Sequence, residues 1–130
     1  MYCAPAILWF EMYRSVGDDV GHRHCSERIW MDWAEVDARP LMLYLQYLTF
    51  GGLRERQRQL QALLGLLNIC TNLVTLVDMH HPETAGNLLG HCLEMEGHME
   101  RALLLYNVLR NVMPRNNAAN LHILRLGGIQ

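Results

Sequence analysis

Residues 88–106 read LLGHCLEMEGHMERALLLY. Two histidines, a cysteine and several carboxylates crowd this stretch, but its small and apolar residues decide the fold. A glycine inside a helix costs about 1 kcal/mol relative to alanine, so Gly90 implies a close neighbour that compensates. Gly97 supplies the backbone freedom for a turn. Beyond it, Ala102, Tyr106 and Leu109 succeed one another at four- and three-residue steps and therefore share one helical face. The pattern predicts two antiparallel helices in which Gly90 and Ala102 meet at the closest approach and Tyr106 fills the wider part of the crossing. Pro82 and Glu83 suit the first turn of the first helix, by fixed φ and by charge at the positive end of its dipole. Pro114 ends the second helix.

Helical periodicity continues on the N-terminal side. Ala6, Trp9, Phe10, Tyr13 and Val16 form a stripe that stops at Gly17, and a polar loop over 17–26 follows. Ile29, Trp30, Trp33 and Val36 predict an amphipathic helix from Glu27 to Asp37. Pro40 opens another, LMLYLQYLTF over 41–50, which is apolar nearly all round and so should be enclosed on more than one side, ending at Gly51-Gly52. The pattern restarts at Leu53 and runs to Met79. One helix of that extent would be roughly 40 Å long, and a break is expected near Asn68 to Asn72, where Asn and Thr side chains compete for the backbone. The methionines at 31, 42, 79, 95, 99 and 113 read as core filler.

The chain has 130 residues, 51% hydrophobic and 18% charged, which is enough chain and enough apolar surface for one folded domain. A formal charge of −2 offers no basic footprint for nucleic acid. All eleven cationic residues are arginine, a bias read as base composition or as avoidance of lysine modification; either way the cations are the type suited to two-pronged carboxylate contacts. The longest apolar run, Leu63 to Val77, is broken by Gly65, Asn68, Thr71, Asn72 and Thr75 and falls short of the roughly 18 residues of a membrane span. Ala6 to Phe10 is too short for a signal-peptide core and has no preceding basic residue and no small-residue cleavage site after it, so a cytoplasmic location is expected. Cys3, Cys25, Cys70 and Cys92 form no C-x-x-C pair and read as buried free thiols.

The residue types of the opening stretch, at these offsets, resemble the tetratricopeptide repeat, a 34-residue helix-turn-helix unit. With Glu83 at its start, Leu89 and Gly90 stand at the family's Leu-Gly pair, Leu93 at its large apolar position and Gly97 at its turn. Ala102, Tyr106 and Pro114 take its small, aromatic and proline positions. Gly86 stands where the family often has Trp, and Leu109 where it usually has Ala. The resemblance covers 83–116; a weaker unit lies over 37–70, and 117–130 reads as a capping helix or the start of a further unit. It implies an all-α fold of antiparallel hairpins stacked in a short right-handed solenoid, a single domain over 1–130. It also implies a groove lined by first helices, here Asn87, His91, Glu94 and Met95 with Arg125 from the last helix.

Spacing supports the groove independently, because Asn87, His91 and Glu94 lie on one helical face while Leu89, Gly90 and Leu93 serve the hairpin. That polar face should be open to a peptide or partner helix. Two serines, Ser15 and Ser26, and no phosphate-cradling glycine loop give little for catalysis. The expected function is a non-enzymatic protein-interaction module without a cofactor, self-associating through Leu121 to Leu126. The alternative is a helical regulatory domain binding a metal ion or small ligand through His22, His24 and Cys25, completed by His80 and His81.

Overall fold

The computed structural model describes residues 5–12, 34–115 and 117–127. Among them are seven helices and no strand: α1 (Ala6–Met12), α2 (Ala38–Gly52), α3 (Arg56–Thr71), α4 (Leu73–Asp78), α5 (Pro82–Met95), α6 (Met99–Val112) and α7 (Ala119–Gly127). Consecutive helices α2 and α3 form one antiparallel hairpin and α5 and α6 another. Helix α5 packs on both members of the first hairpin, on α6 and on α1, and α7 lies against α6.

Helix α5 owes its central place to small residues. Every residue from Thr84 to Gly90 is buried, as are Cys92 and Glu94. A Cβ on Gly86 would come within 2.7 Å of the Leu109 methyls, and one on Gly90 within 2.4 Å of the Tyr106 ring. Gly90 therefore lies directly against the Tyr106 ring. Ala102 is fully buried in a cluster with Tyr106, Ala119 and Leu126, which Leu93 joins to the larger cluster around Tyr44, Leu66, Leu88 and Cys92. The helix expected to be enclosed all round, α2, buries only Pro40, Tyr44 and Tyr47. Its Met42 and Leu45 are exposed. A helix is enclosed when its side chains are small enough for neighbours to approach from several directions, which mean apolarity does not measure.

Both hairpin turns end their first helix in the same way. Gly97 takes φ +84, and the amides of Gly97 and His98 donate to the carbonyls of Glu94 and Leu93 at 2.9 and 2.8 Å. At the other turn the left-handed residue is Arg54, φ 60, with amides of Arg54 and Glu55 bound to Gly51 and Phe50. Gly51-Gly52 thus stays inside α2, and the strain of the turn falls on an arginine.

The break between α3 and α4 lies at Asn72, whose extended backbone ends one helix while its side chain accepts from the Val74 amide at 3.0 Å. Thr71 Oγ1 bonds back to Leu67 O, and Thr75 Oγ1 donates to Ile69 O, the competition with the backbone anticipated from sequence.

Ala34 to Asp37 are non-helical, so the helix expected over 27–37 does not reach its C-terminal part; 27–33 lie outside the described residues, as do Tyr13 and Val16. Asp37 is not free to cap its own helix, because its carboxylate accepts from the His80 and His81 amides at 3.1 and 2.8 Å and so ties the starts of α2 and α5 together. Met42, Met95, Met99 and Met113 are exposed, contrary to the core role expected of them. No helix is long and apolar enough to cross a membrane among the described residues.

Gly90→Ala should destabilise the chain by about 1–3 kcal/mol despite alanine's higher helix propensity, because the Tyr106 ring it strikes is fully buried. Chemical denaturation checks this, and a stabilised variant would show that the two helices do not meet so closely. In the same assay Arg54→Gly should stabilise by about 1 kcal/mol through relief of the left-handed backbone.

Candidate partner-binding site

The five residues expected in a groove are divided among three places. Asn87 is fully buried, and its Nδ2 donates to Glu11 Oε1 at 3.2 Å and to Asn117 Oδ1 at 3.0 Å. His91 is half-buried, its Nδ1 hydrogen-bonded to the Tyr44 hydroxyl at 2.7 Å. Glu94, 9% exposed, accepts from the Tyr106 hydroxyl at 2.7 Å and from Arg125 at 2.6 and 2.8 Å. Met95 stands apart, on a depression of about 440 Å³ shared with Tyr47, Arg56 and Glu96. The expected open polar face on α5 is therefore largely covered, with bonds reaching it from Asn117 and from Glu11 of α1, Tyr44 of α2, Tyr106 of α6 and Arg125 of α7.

Helix α1 occupies this face. Ile7 is fully buried in the main core cluster. Glu11, also fully buried, accepts from Thr84 Oγ1 at 3.3 Å as well as from Asn87. Phe10 packs against the His122 ring at a centroid distance of 4.6 Å, with the Arg125 guanidinium 5.5 Å from its own centroid. On the far side, His122 stacks flat on Tyr106, 4.7 Å away and 6° from parallel. The result is an aromatic slot from α6 and α7 beside a carboxylate pocket from α5.

Asn117 holds α7 in register with α5. Its Oδ1 accepts from the Ala119 amide, the cap of α7, while its Nδ2 donates to the Leu109 and Met113 carbonyls, all at 3.0 Å. Thr84, Asn117, His122 and Tyr44 were not anticipated as site residues. Only Asn117 carried a local signal, as a capping residue before an apolar run; the others are defined by contacts from distant helices.

Burial, then the adjacent Arg125, lowers the His122 pKa from 6.5 to about 4. Arg125 donates to His122 Nδ1 at 3.3 Å, so the neutral ring carries its proton on Nε2. That atom and Asn87 Oδ1 are buried without hydrogen-bond partners among the described residues, each a cost of about 1–3 kcal/mol. Burial likewise lowers His91. For Glu94 burial acts upward, but the hydrogen bonds from Arg125 and Tyr106 outweigh it and the net shift is down. The second hairpin is pinned to the first by Glu96, which accepts from both guanidinium nitrogens of Arg56 and from the Tyr47 hydroxyl; the Arg56 bonds first, against some desolvation, hold it at about 2.

Burial pushes Cys92 up to about 12 and Cys70 up to about 11, so both stay protonated thiols near neutrality. No cluster of three or more His, Cys, Asp or Glu able to hold a metal occurs among the described residues, and His22, His24 and Cys25 lie outside them. At the C-terminal end, Leu126 is buried against the hairpin and Leu124 is 71% exposed, so Leu124 and not Leu126 is available for self-association. In comparisons with known proteins, no family model, curated protein or solved structure matches the chain.

His122 gives a pH signature. Its folded pKa is depressed, so the neutral ring's contribution is complete above pH 6.5 and is lost as pH falls toward about 4, at up to ~1.4 kcal/mol per unit. Glu96, also depressed, loses its contribution lower, between 4.5 and about 2. His122→Phe, which keeps the ring stack, should flatten the stability profile between pH 6.5 and 4 and leave the lower limb unchanged. Denaturant titrations across pH read both limbs, and an unaltered upper limb would contradict the assignment.

Proposed function

We propose that this chain is a non-enzymatic protein-interaction module, a short tetratricopeptide-like stack whose α5 and α7 form a seat for a helical segment of a partner. The observation that carries the reading is that this seat already holds an amphipathic helix, α1, with an apolar, an aromatic and an acidic side chain each in its own environment. A site able to order a seven-residue helix supplies stability that the helix lacks alone, since so short a helix is marginal in water. Grooves that receive amphipathic helices work in this way, with anchors spaced at three and four residues.

The repeat resemblance supports the same reading through its packing. Gly90 lies under Tyr106, Ala102 is buried, and Gly97 takes the left-handed turn conformation. The two departures from the family pattern face each other: Gly86, where a large side chain is usual, receives Leu109, where a small one is usual. Volume is exchanged across the crossing and the contact is kept. The order of packing, with α5 on both helices of the preceding hairpin and α7 on α6, is the order a solenoid requires. A cytoplasmic setting is part of the proposal.

A display library of amphipathic helical peptides, selected on the full chain, tests the reading. Binders should slow amide exchange in α5 and α7 and lose tenfold or more in affinity, ~1.4 kcal/mol, on Arg125→Gln. A library that returns no binder, or binders that protect only other helices, would contradict it.

A further inference from the structure

We infer that α1 is a displaceable internal occupant of the α5–α7 seat, and that the partner it gives way to is an amphipathic helix carrying an aromatic residue followed directly by a carboxylate. The inference rests on the proposed role of that seat and adds the chemistry of its ligand and the means of its regulation.

The chemistry is written in α1 itself. Ile7, Phe10 and Glu11 lie at offsets of three and four and form one face, while Trp9 and Met12 are 37% and 40% exposed. Glu11 is the one charged residue of α1, and it sits on the docking face. An internal helix needing only apolar burial has no use for a carboxylate there; a seat that reads one does, and Thr84 and Asn87 supply neutral donors for it. Beside it, the Phe10 ring meets His122 and Arg125, which stack on and cap an aromatic face without selecting its substituents.

The fit of α1 is nevertheless incomplete. Asn87 Oδ1 and His122 Nε2, on the two walls of the seat, are buried and unmatched among the described residues while α1 is docked. A partner helix that repeats the aromatic–acidic pair and also brings a donor to Asn87 or an acceptor to His122 binds better than α1. Because α1 belongs to the same chain, it competes at a high effective concentration and sets a threshold that weak or mismatched helices do not pass. Opening α1 leaves the α5–α6 and α2–α3 hairpins paired, since their contacts do not run through it.

A synthetic peptide of residues 5–12 should bind the full chain carrying Phe10→Ala and Glu11→Gln at least tenfold more tightly than the unaltered chain, because the internal competitor is weakened. The same two changes placed in the peptide should abolish that binding. Methyl NMR of the unaltered full chain should reveal a minor state in which Ile7 is exposed while the amides of α3 and α6 stay protected from exchange. Equal peptide affinity for the two chains, or exposure of Ile7 only together with loss of amide protection in α3 and α6, would overturn the inference. Library binders that protect α5 and α7 alongside either of those results would leave the seat's proposed role standing and remove only the part assigned to α1.

Discussion

Glu94 is where three helices of this fold meet. Its carboxylate receives the Tyr106 hydroxyl from α6 and the Arg125 guanidinium from α7, while Tyr106 in turn lies on the bare backbone of Gly90 one helical turn earlier in α5. Each part depends on the others. Without Gly90 the ring cannot come close enough; without the ring in place the hydroxyl does not reach Glu94; without Glu94 the Arg125 guanidinium loses its carboxylate. Such a shared, nearly buried network is worth more as a constraint on geometry than as net stability, because desolvating the charges offsets much of their attraction.

Around that network the helix stack is arranged by size and not by hydrophobicity. Helix α5 sets small and polar residues around the core leucines Leu88 and Leu89, and it is the most enclosed helix among those described, since Ala85, Gly86 and Gly90 let neighbours approach. Its polar side chains take partners from elsewhere in the fold: Glu11 and Asn117 at the Asn87 amide nitrogen, Tyr44 at His91, Arg125 at Glu94. The positions that spacing marks as an outward polar face thus became an interior one, and the proposed recognition site moves to the same residues as seen from α1.

Much of this was legible in the sequence where the cause is local. Gly97 and Pro82 mark helix ends because their backbones dictate them, and Asn72 breaks α3 from α4 because its side chain replaces a backbone partner. Gly90 announced a close contact correctly, but that the Tyr106 ring is what presses on it depends on the rotation of α6 about its axis and is not written in spacing alone. The left-handed turn at Arg54 was invisible because two glycines stood just before it. Thr84 and His122 escaped notice as site residues for a further reason: each is ordinary in its own helix and acquires a role only when α1, α5 and α7 are brought together.

Helices α5, α6 and α7 meet at one carboxylate, and if Glu94 holds them as one unit the proposed seat is rigid before anything occupies it. A double-mutant cycle of Tyr106→Phe and Arg125→Gln, read by denaturant unfolding, tests this most directly, because the two residues contact Glu94 from different helices. The account predicts a coupling of about 1 kcal/mol or more between them. Additivity to within ~0.3–0.5 kcal/mol would mean that the two contacts are independent and would contradict it.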